Sequence, residues 1–246
     1  MENIWFYLSV FLIFLYSISL ILVLFYSLSQ LNLLWNYIQY KKKKENPVEL
    51  DLNDLDAVPL VTIQLPVFNE IYVIERLLEC INLIEYPRKK LEIQVLDDST
   101  DESVGLIENL VKKLRKEGLD IVQIRREKRI GFKAGALKEG LEIAKGEFIA
   151  IFDADFLPKS NWLLQTIPHF KDKKIGVVQT RWSHINRDYS ILTQIQAFAL
   201  DAHFTLEQVG RNSKNHFMNF NGTAGIWRKT CIIDSGNWQG DTLTED

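Results

Sequence analysis

A chain of 246 residues is long enough for one large α/β domain with its own core. Its net charge of -3 leaves no basic excess for a sequence-independent phosphate footprint, which argues against a nucleic-acid binder. Two distant cysteines, Cys80 and Cys231, make no disulfide or zinc framework, and the four histidines lack paired-ligand spacing, so neither zinc nor histidine-metal chemistry is expected.

Between Glu2 and Lys41 there is no Asp, Glu, Lys or Arg, and Ile4 to Phe25 is nearly all aliphatic or aromatic. About 20 such residues cross the roughly 30 Å apolar core of a bilayer. The early charge is Glu2 instead of a basic cluster, unlike a cleaved signal peptide, so a retained transmembrane helix is expected near Trp5 to Leu28. With an interfacial continuation it fills residues 1–40. Trp35, Tyr37 and Tyr40 suit an aromatic belt, and Lys41 to Lys44 place that end in the cytoplasm, with the N-terminus outside. Residues 41–58, polar and containing Pro47, read as a linker to a cytoplasmic domain over 59–246.

From there strands and helices alternate. Val61 to Leu65 reads as a strand stopped by Pro66, and Glu70 to Leu83 carries helical spacing. Leu91 to Leu96 is a strand, Val104 to Lys116 a helix, Asp120 to Ile124 a strand and Lys133 to Lys145 a helix. Phe148 to Phe152 is a short apolar strand tipped by Asp153-Ala-Asp155. The order predicts an α/β domain with a largely parallel sheet and covered faces, whose ligands bind beyond the carboxyl ends of the strands. Further on, a helix near Asn161 to Phe170 and a strand at Ile175 to Thr180 are expected. Tyr189 to Val209 is a long helical stretch that either packs on the domain or lies on a membrane surface; its acids and few lysines favour packing. Phe217 to Arg228 is a Gly-rich turn among aromatics, where backbone can approach a ligand closely. Trp182, Trp227 and Trp238 suit either a sugar face or the core.

Three strand ends carry the chemistry: Pro66-Val-Phe-Asn-Glu70, Asp97-Asp98 and Asp153-Ala-Asp155. Residues i and i+2 of an extended chain project together, so Asp153 and Asp155 point into the same space. Paired carboxylates repel, and Mg²⁺ or Mn²⁺ held by one or two of them plus substrate phosphates relieves the repulsion. Phe68 can stack on a base and Asp98 can accept from a base N–H. Each motif also has a capping reading, with Asn69 as a helix N-cap and the aspartates as turn formers, but convergence of all three on one sheet edge favours a site. The basic run Arg125, Arg126, Lys128, Arg129, Lys133 reads as a solvated loop or as partly phosphate-facing. Gly135 to Gly140 has P-loop spacing but lacks the Lys-Ser/Thr, and no Gly-x-Gly-x-x-Gly follows a strand.

The ordered set Pro66-Val-Phe-Asn-Glu70, Asp97-Asp98, Lys133-Ala-Gly-Ala-Leu137, Asp153-Ala-Asp155, Phe220-Asn-Gly-Thr-Ala-Gly225 and Thr244-Glu-Asp246 resembles the processive, membrane-embedded family 2 glycosyltransferases, closest to cellulose-synthase-like mannan and glucan synthases. The resemblance implies a Rossmann-like GT-A fold and transfer of a hexose from a nucleotide-sugar, GDP-mannose or UDP-glucose, with inversion, to a growing β-glycan. Phe68, Glu70, Asp97, Asp98, Lys133 and Asp153 would hold the nucleotide-sugar. Asp155, with Asp153, would ligate Mg²⁺ or Mn²⁺, Asp246 would be the general base, and Asn221, Gly222 and Thr223 would meet the acceptor. The family's Gln-x-x-Arg-Trp motif and C-terminal membrane helices are not in the sequence, so a truncated catalytic domain is expected. A single-sugar transferase to a lipid and a non-catalytic donor-binding fragment are the alternatives.

Overall fold

The computed structural model describes residues 2–42, 50, 52 and 54–241, which form two units. Half of the expected linker and the candidate base Asp246 lie outside the described residues.

One unit comprises residues up to 46 and 183–219. Its α1 (Glu2–Lys42) is a single unbroken helix, roughly 60 Å long, that merges the expected span and interfacial segment. It is long and apolar enough to cross a membrane, and its apolar side chains from Ile4 to Leu28 are exposed. Near its end Leu33 and Asn36 are buried, where α1 meets a π-helical segment (His203–Val209) and α7 (Gly210–Asn212). A Cβ on Gly210 would lie 2.8 Å from the Leu33 carbonyl oxygen, so only glycine permits this approach. The expected long helix is therefore α6 (Ile191–Ala202), begun by a Ser190–Thr193 capping box, followed by a π-helical turn that hydrophobic periodicity does not distinguish from α-helix. Within this unit Ala197 of α6 and Phe204 and Gln208 of the π-helical segment are buried.

The second unit, 47–182 and 220–246, holds a six-stranded sheet in the order β3-β2-β1-β4-β6-β5. The parallel strands are β1 (Val61–Val67), β2 (Leu91–Asp97), β3 (Asp120–Arg125) and β4 (Phe148–Ile151). β1, β2 and β4 are buried almost continuously, as strands covered on both faces are, and the polar side chains within them bond across the ladder, Thr62 to Glu92 and Gln64 to Gln94. Helices α2 (Ile74–Asn82) and α3 (Ser103–Lys116), with α5 (Trp162–Thr166), bury Ile74, Leu77, Leu78, Ile81, Ile107 and Val111 on one face. On the other, α4 (Phe132–Ile143) and α8 (Lys229–Asp234) bury Leu137, Leu141 and Ile232.

Two details depart from the sequence expectation. Pro66 does not end β1; β4 pairs with β1 only as far as Gln64, so proline sits where one ladder neighbour has stopped. The far edge is antiparallel: β6 (Gly225–Arg228) pairs antiparallel with both β4 and β5 (Val177–Gln179). Trp227 and Trp238 join Phe220 in a core cluster with ring centroids 5.2–6.4 Å apart, and Trp182 packs against the other cluster, so the core alternative holds for all three.

Candidate active site

The carboxyl ends of β1, β2 and β4 are adjacent, and beyond them lies a cleft of about 310 Å³ lined by Phe68, Glu70, Asp98, Lys133, Asp153 and Asp155, among others. Six residues expected from three separate strand ends and a helix start thus meet in one place.

Asn69 shows why the first two ends are locked together. Its backbone is left-handed (φ 58°), a conformation asparagine tolerates better than most residues. Its N–H donates to Ser99 Oγ at 2.9 Å and its Oδ1 accepts from the Thr100 N–H at 2.9 Å. Because α2 begins only at Ile74, Asn69 is a cross-link between strand ends and not the N-cap weighed above. The neighbouring aspartates divide by strand alternation. Asp97 turns inward, fully buried, accepting from the Ser99 N–H at 2.9 Å and Gln123 Nε2 at 2.8 Å. It does not line the cleft, whereas Asp98 does.

Asp98 is bound bidentately by Arg126, with Nε to Oδ1 at 2.9 Å and Nη2 to Oδ2; both side chains are almost fully buried. That pairing raises the Arg126 pKa further. Arg126 also donates to the Ile130 and Phe132 carbonyls, each at 2.9 Å, fastening the loop before α4. Gly135 makes this possible: a Cβ there would lie 2.0 Å from the Ile130 carbonyl oxygen. Arg129 lays its guanidinium over the Phe68 ring, 3.5 Å from the centroid, and its Nε is 3.6 Å from Asp98 Oδ2. Within the basic run Arg126 and Arg129 thus engage Asp98 and Phe68, and Arg129 and Lys133 line the cleft. Sequence reasoning missed Arg126 and Arg129 as site residues; their signal was only the run's position after a strand.

Lys133 stands in the first turn of α4, where the helix dipole disfavours a cation, and Asp153 offsets this at 2.8 Å. Its Nζ also donates to the Gly222 carbonyl at 2.9 Å, and the Asp153 N–H donates to Thr223 Oγ1 at 3.0 Å. The Asn221–Gly222–Thr223 turn therefore adjoins the β4 carboxylates. The Glu70 carboxyl is pushed above the usual glutamate range, first by desolvation and then by the charges of Asp155 and Asp153. Among the described residues no three His, Cys, Asp or Glu side chains converge into a cation cage. Hard oxygen donors that repel one another, too few for a complete shell, fit a cation that also takes oxygens from a bound diphosphate.

The pattern of Glycosyl transferase family 2 matches residues 62–232. "Probable glucomannan 4-beta-mannosyltransferase 4" of Oryza sativa subsp. japonica is 43% identical over 195 residues, covering 77% of this chain and 36% of that protein. Glucomannan 4-beta-mannosyltransferase 9 of Arabidopsis thaliana is 39% identical over 212 residues, covering 84% of this chain and 40% of that protein. The chain thus spans well under half the length of these relatives. Among solved structures, mannosyltransferase PcManGT from Pyrobaculum calidifontis, in complex with GDP-Man and Mn²⁺, aligns with a TM-score of 0.65 at 25% identity, covering 86% of this chain and 55% of that one. With its GT-A sheet and its match over most of the sheet-bearing unit, the chain belongs to glycosyl transferase family 2.

Proposed function

We propose that the chain is the donor-binding catalytic part of an inverting, metal-dependent hexosyltransferase that uses GDP-mannose and extends a β-glycan. The observation that carries this reading is the convergence of Phe68, Glu70, Asp98, Lys133, Asp153 and Asp155 on one cleft. The names of the relatives and the GDP-Man complex of PcManGT favour GDP-mannose over UDP-glucose.

Phe68 stacks on the base, and Asp98, held rigid by Arg126, defines the nucleoside end. Glu70 and Lys133 flank the ribose and phosphates, and Asp153 fixes Lys133. Asp155, with Asp153, holds a divalent cation, which supplies charge neutralisation for the departing diphosphate. The acceptor hydroxyl, presented beside Asn221, Gly222 and Thr223, attacks the anomeric carbon as the bond to the diphosphate oxygen breaks, and the Asp246 carboxylate takes its proton. The one substitution at the anomeric carbon inverts it. In this reading α1 crosses the membrane with its lysine end, and hence the catalytic unit, in the cytoplasm.

Incubation of the membrane-embedded chain with labelled GDP-mannose or UDP-glucose, Mn²⁺ and β-mannan oligosaccharides tests this. Metal-dependent mannosyl transfer to the oligosaccharide is expected. Glycolipid as the sole labelled product, or no donor consumed under conditions where the chain is folded, would contradict it.

A further inference from the structure

We propose that Gln179, the last residue of β5, is a positioning residue that fixes the Asn221–Ala224 turn against the β4 carboxylates and so sets where a sugar acceptor sits. The acceptor part of this proposal rests on the transferase reading above. The turn enters the left-handed region twice: Gly222 adopts φ 71° freely, but Ala224, which carries a Cβ, is held at a strained φ of 51°. It needs external holding, and one amide side chain supplies three bonds of it.

Gln179 Oε1 accepts from the Asn221 N–H at 3.0 Å. Its Nε2 faces the Thr223 carbonyl at 3.0 Å, the Thr180 carbonyl at 3.1 Å and the Ala224 carbonyl at 3.3 Å. Acceptor and donor ends therefore each meet their complement, a pairing that only a carboxamide offers at this length. Thr180 braces the same turn, donating from both its N–H (3.1 Å) and its Oγ1 (2.6 Å) to the Ala224 carbonyl. Trp162 Nε1 holds that hydroxyl at 3.1 Å.

What the turn presents outward is functional. Thr223 Oγ1 accepts from the Asp153 N–H, and the Gly222 carbonyl accepts from Lys133, which also pairs with Asp153. Gln179 thus reaches the first aspartate of Asp153-Ala-Asp155 through the turn, without touching the donor wall of Phe68, Glu70 and Asp98. Its loss should release the turn, while Lys133 and Asp153, still paired with each other at 2.8 Å, keep the donor side in place.

The test compares wild type with Gln179→Met, which keeps length but neither bond, and Gln179→Glu, which keeps an acceptor for Asn221 but donates nothing. Full-length chains in detergent are followed by hydrogen exchange of peptides covering 217–224, by GDP affinity with Mn²⁺, and by the KM for a mannan oligosaccharide. For Gln179→Met we expect exchange at Asn221 about tenfold faster, acceptor KM raised about tenfold, and GDP affinity within threefold of wild type. Gln179→Glu should retain protection at Asn221 while sharing the raised KM. Unchanged exchange in both variants, or GDP affinity falling in step with the acceptor KM, would overturn the proposal. Should wild type neither bind GDP nor turn over donor, the transferase reading fails, and the exchange comparison alone decides whether Gln179 holds the turn. If Gln179→Met does not fold, Gln179→Glu decides by the same readouts.

Discussion

The strand-end cleft and the turn beside it are held in different ways. Phe68, Glu70, Asp98, Asp153 and Asp155 come off the ends of neighbouring parallel strands, each delivered by one short apolar stretch followed by its polar tip. The turn beside the cleft, Asn221 to Ala224, has its backbone bonded by Gln179, Thr180 and Lys133, residues 40 or more positions away in the chain. A parallel sheet places side chains by register; the turn is placed only by tertiary bonds. The cleft should therefore fail when single charges or strand-end contacts are removed, and the turn when remote polar groups are.

The largest effect is expected where the donor wall is most buried. Arg126→Ala takes the bidentate partner from Asp98 in a site where both side chains are almost fully covered, leaving it only the longer 3.6 Å approach of Arg129, and should lower unfolding stability by about 3 kcal/mol in denaturant titration. Loss below about 1 kcal/mol would mean that Asp98 finds another partner. Next, Asp155→Ala removes an exposed carboxylate with little structural role. It should weaken Mn²⁺-dependent GDP binding by more than about a hundredfold while unfolding is unchanged. Gly135→Ala drives a Cβ into the Ile130 carbonyl and should cost about 2–3 kcal/mol of stability, with GDP binding weakened because the loop carries Arg126 and Arg129.

Smaller effects sharpen the comparison. Phe68→Leu removes a stacking surface, and GDP affinity should fall about tenfold by calorimetry. The proton linkage is subtler. Glu70 has a raised pKa, so it holds its proton into a range where an ordinary glutamate has lost it. In the folded state its charged form is the disfavoured one, so its unfavourable contribution is absent at low pH and appears as pH rises through that window. A cation nearby favours the deprotonated form. Mn²⁺-GDP affinity should then strengthen as pH rises just above the usual glutamate range, with proton release seen by calorimetry in two buffers, and Glu70→Gln should flatten that dependence.

The donor wall was largely legible in the sequence because its signals are local. An apolar run ending in Asp-Ala-Asp names both the strand and its tip, and three such ends on parallel strands must share an edge. Strand alternation also carries the division between Asp97 and Asp98, since neighbours on a strand face opposite ways; the local motif alone did not assign which one turned inward. What was not legible depends on partners distant in sequence. Arg126 looks like any cation of a basic loop until its 28-residue separation from Asp98 is closed. Asn69 looks like a cap until α2 is seen to begin at Ile74. The π-helical turn at His203–Val209 keeps the same apolar spacing as an α-helix, and β6 hides inside a Gly-rich turn because its four residues are too few to show a period. The turn itself was marked by its glycines, but the residue that holds it, Gln179, carries no local mark.

The central claim is that the strand-end cleft is a metal-dependent nucleoside diphosphate site. Calorimetric titration of wild type and Asp155→Ala with GDP and with UDP, in Mn²⁺ and then in EDTA, tests it most directly. The account predicts that wild type binds one nucleotide, GDP, only with Mn²⁺, and that Asp155→Ala does not. Binding of equal strength with and without the metal, or unaffected by Asp155→Ala, would contradict it.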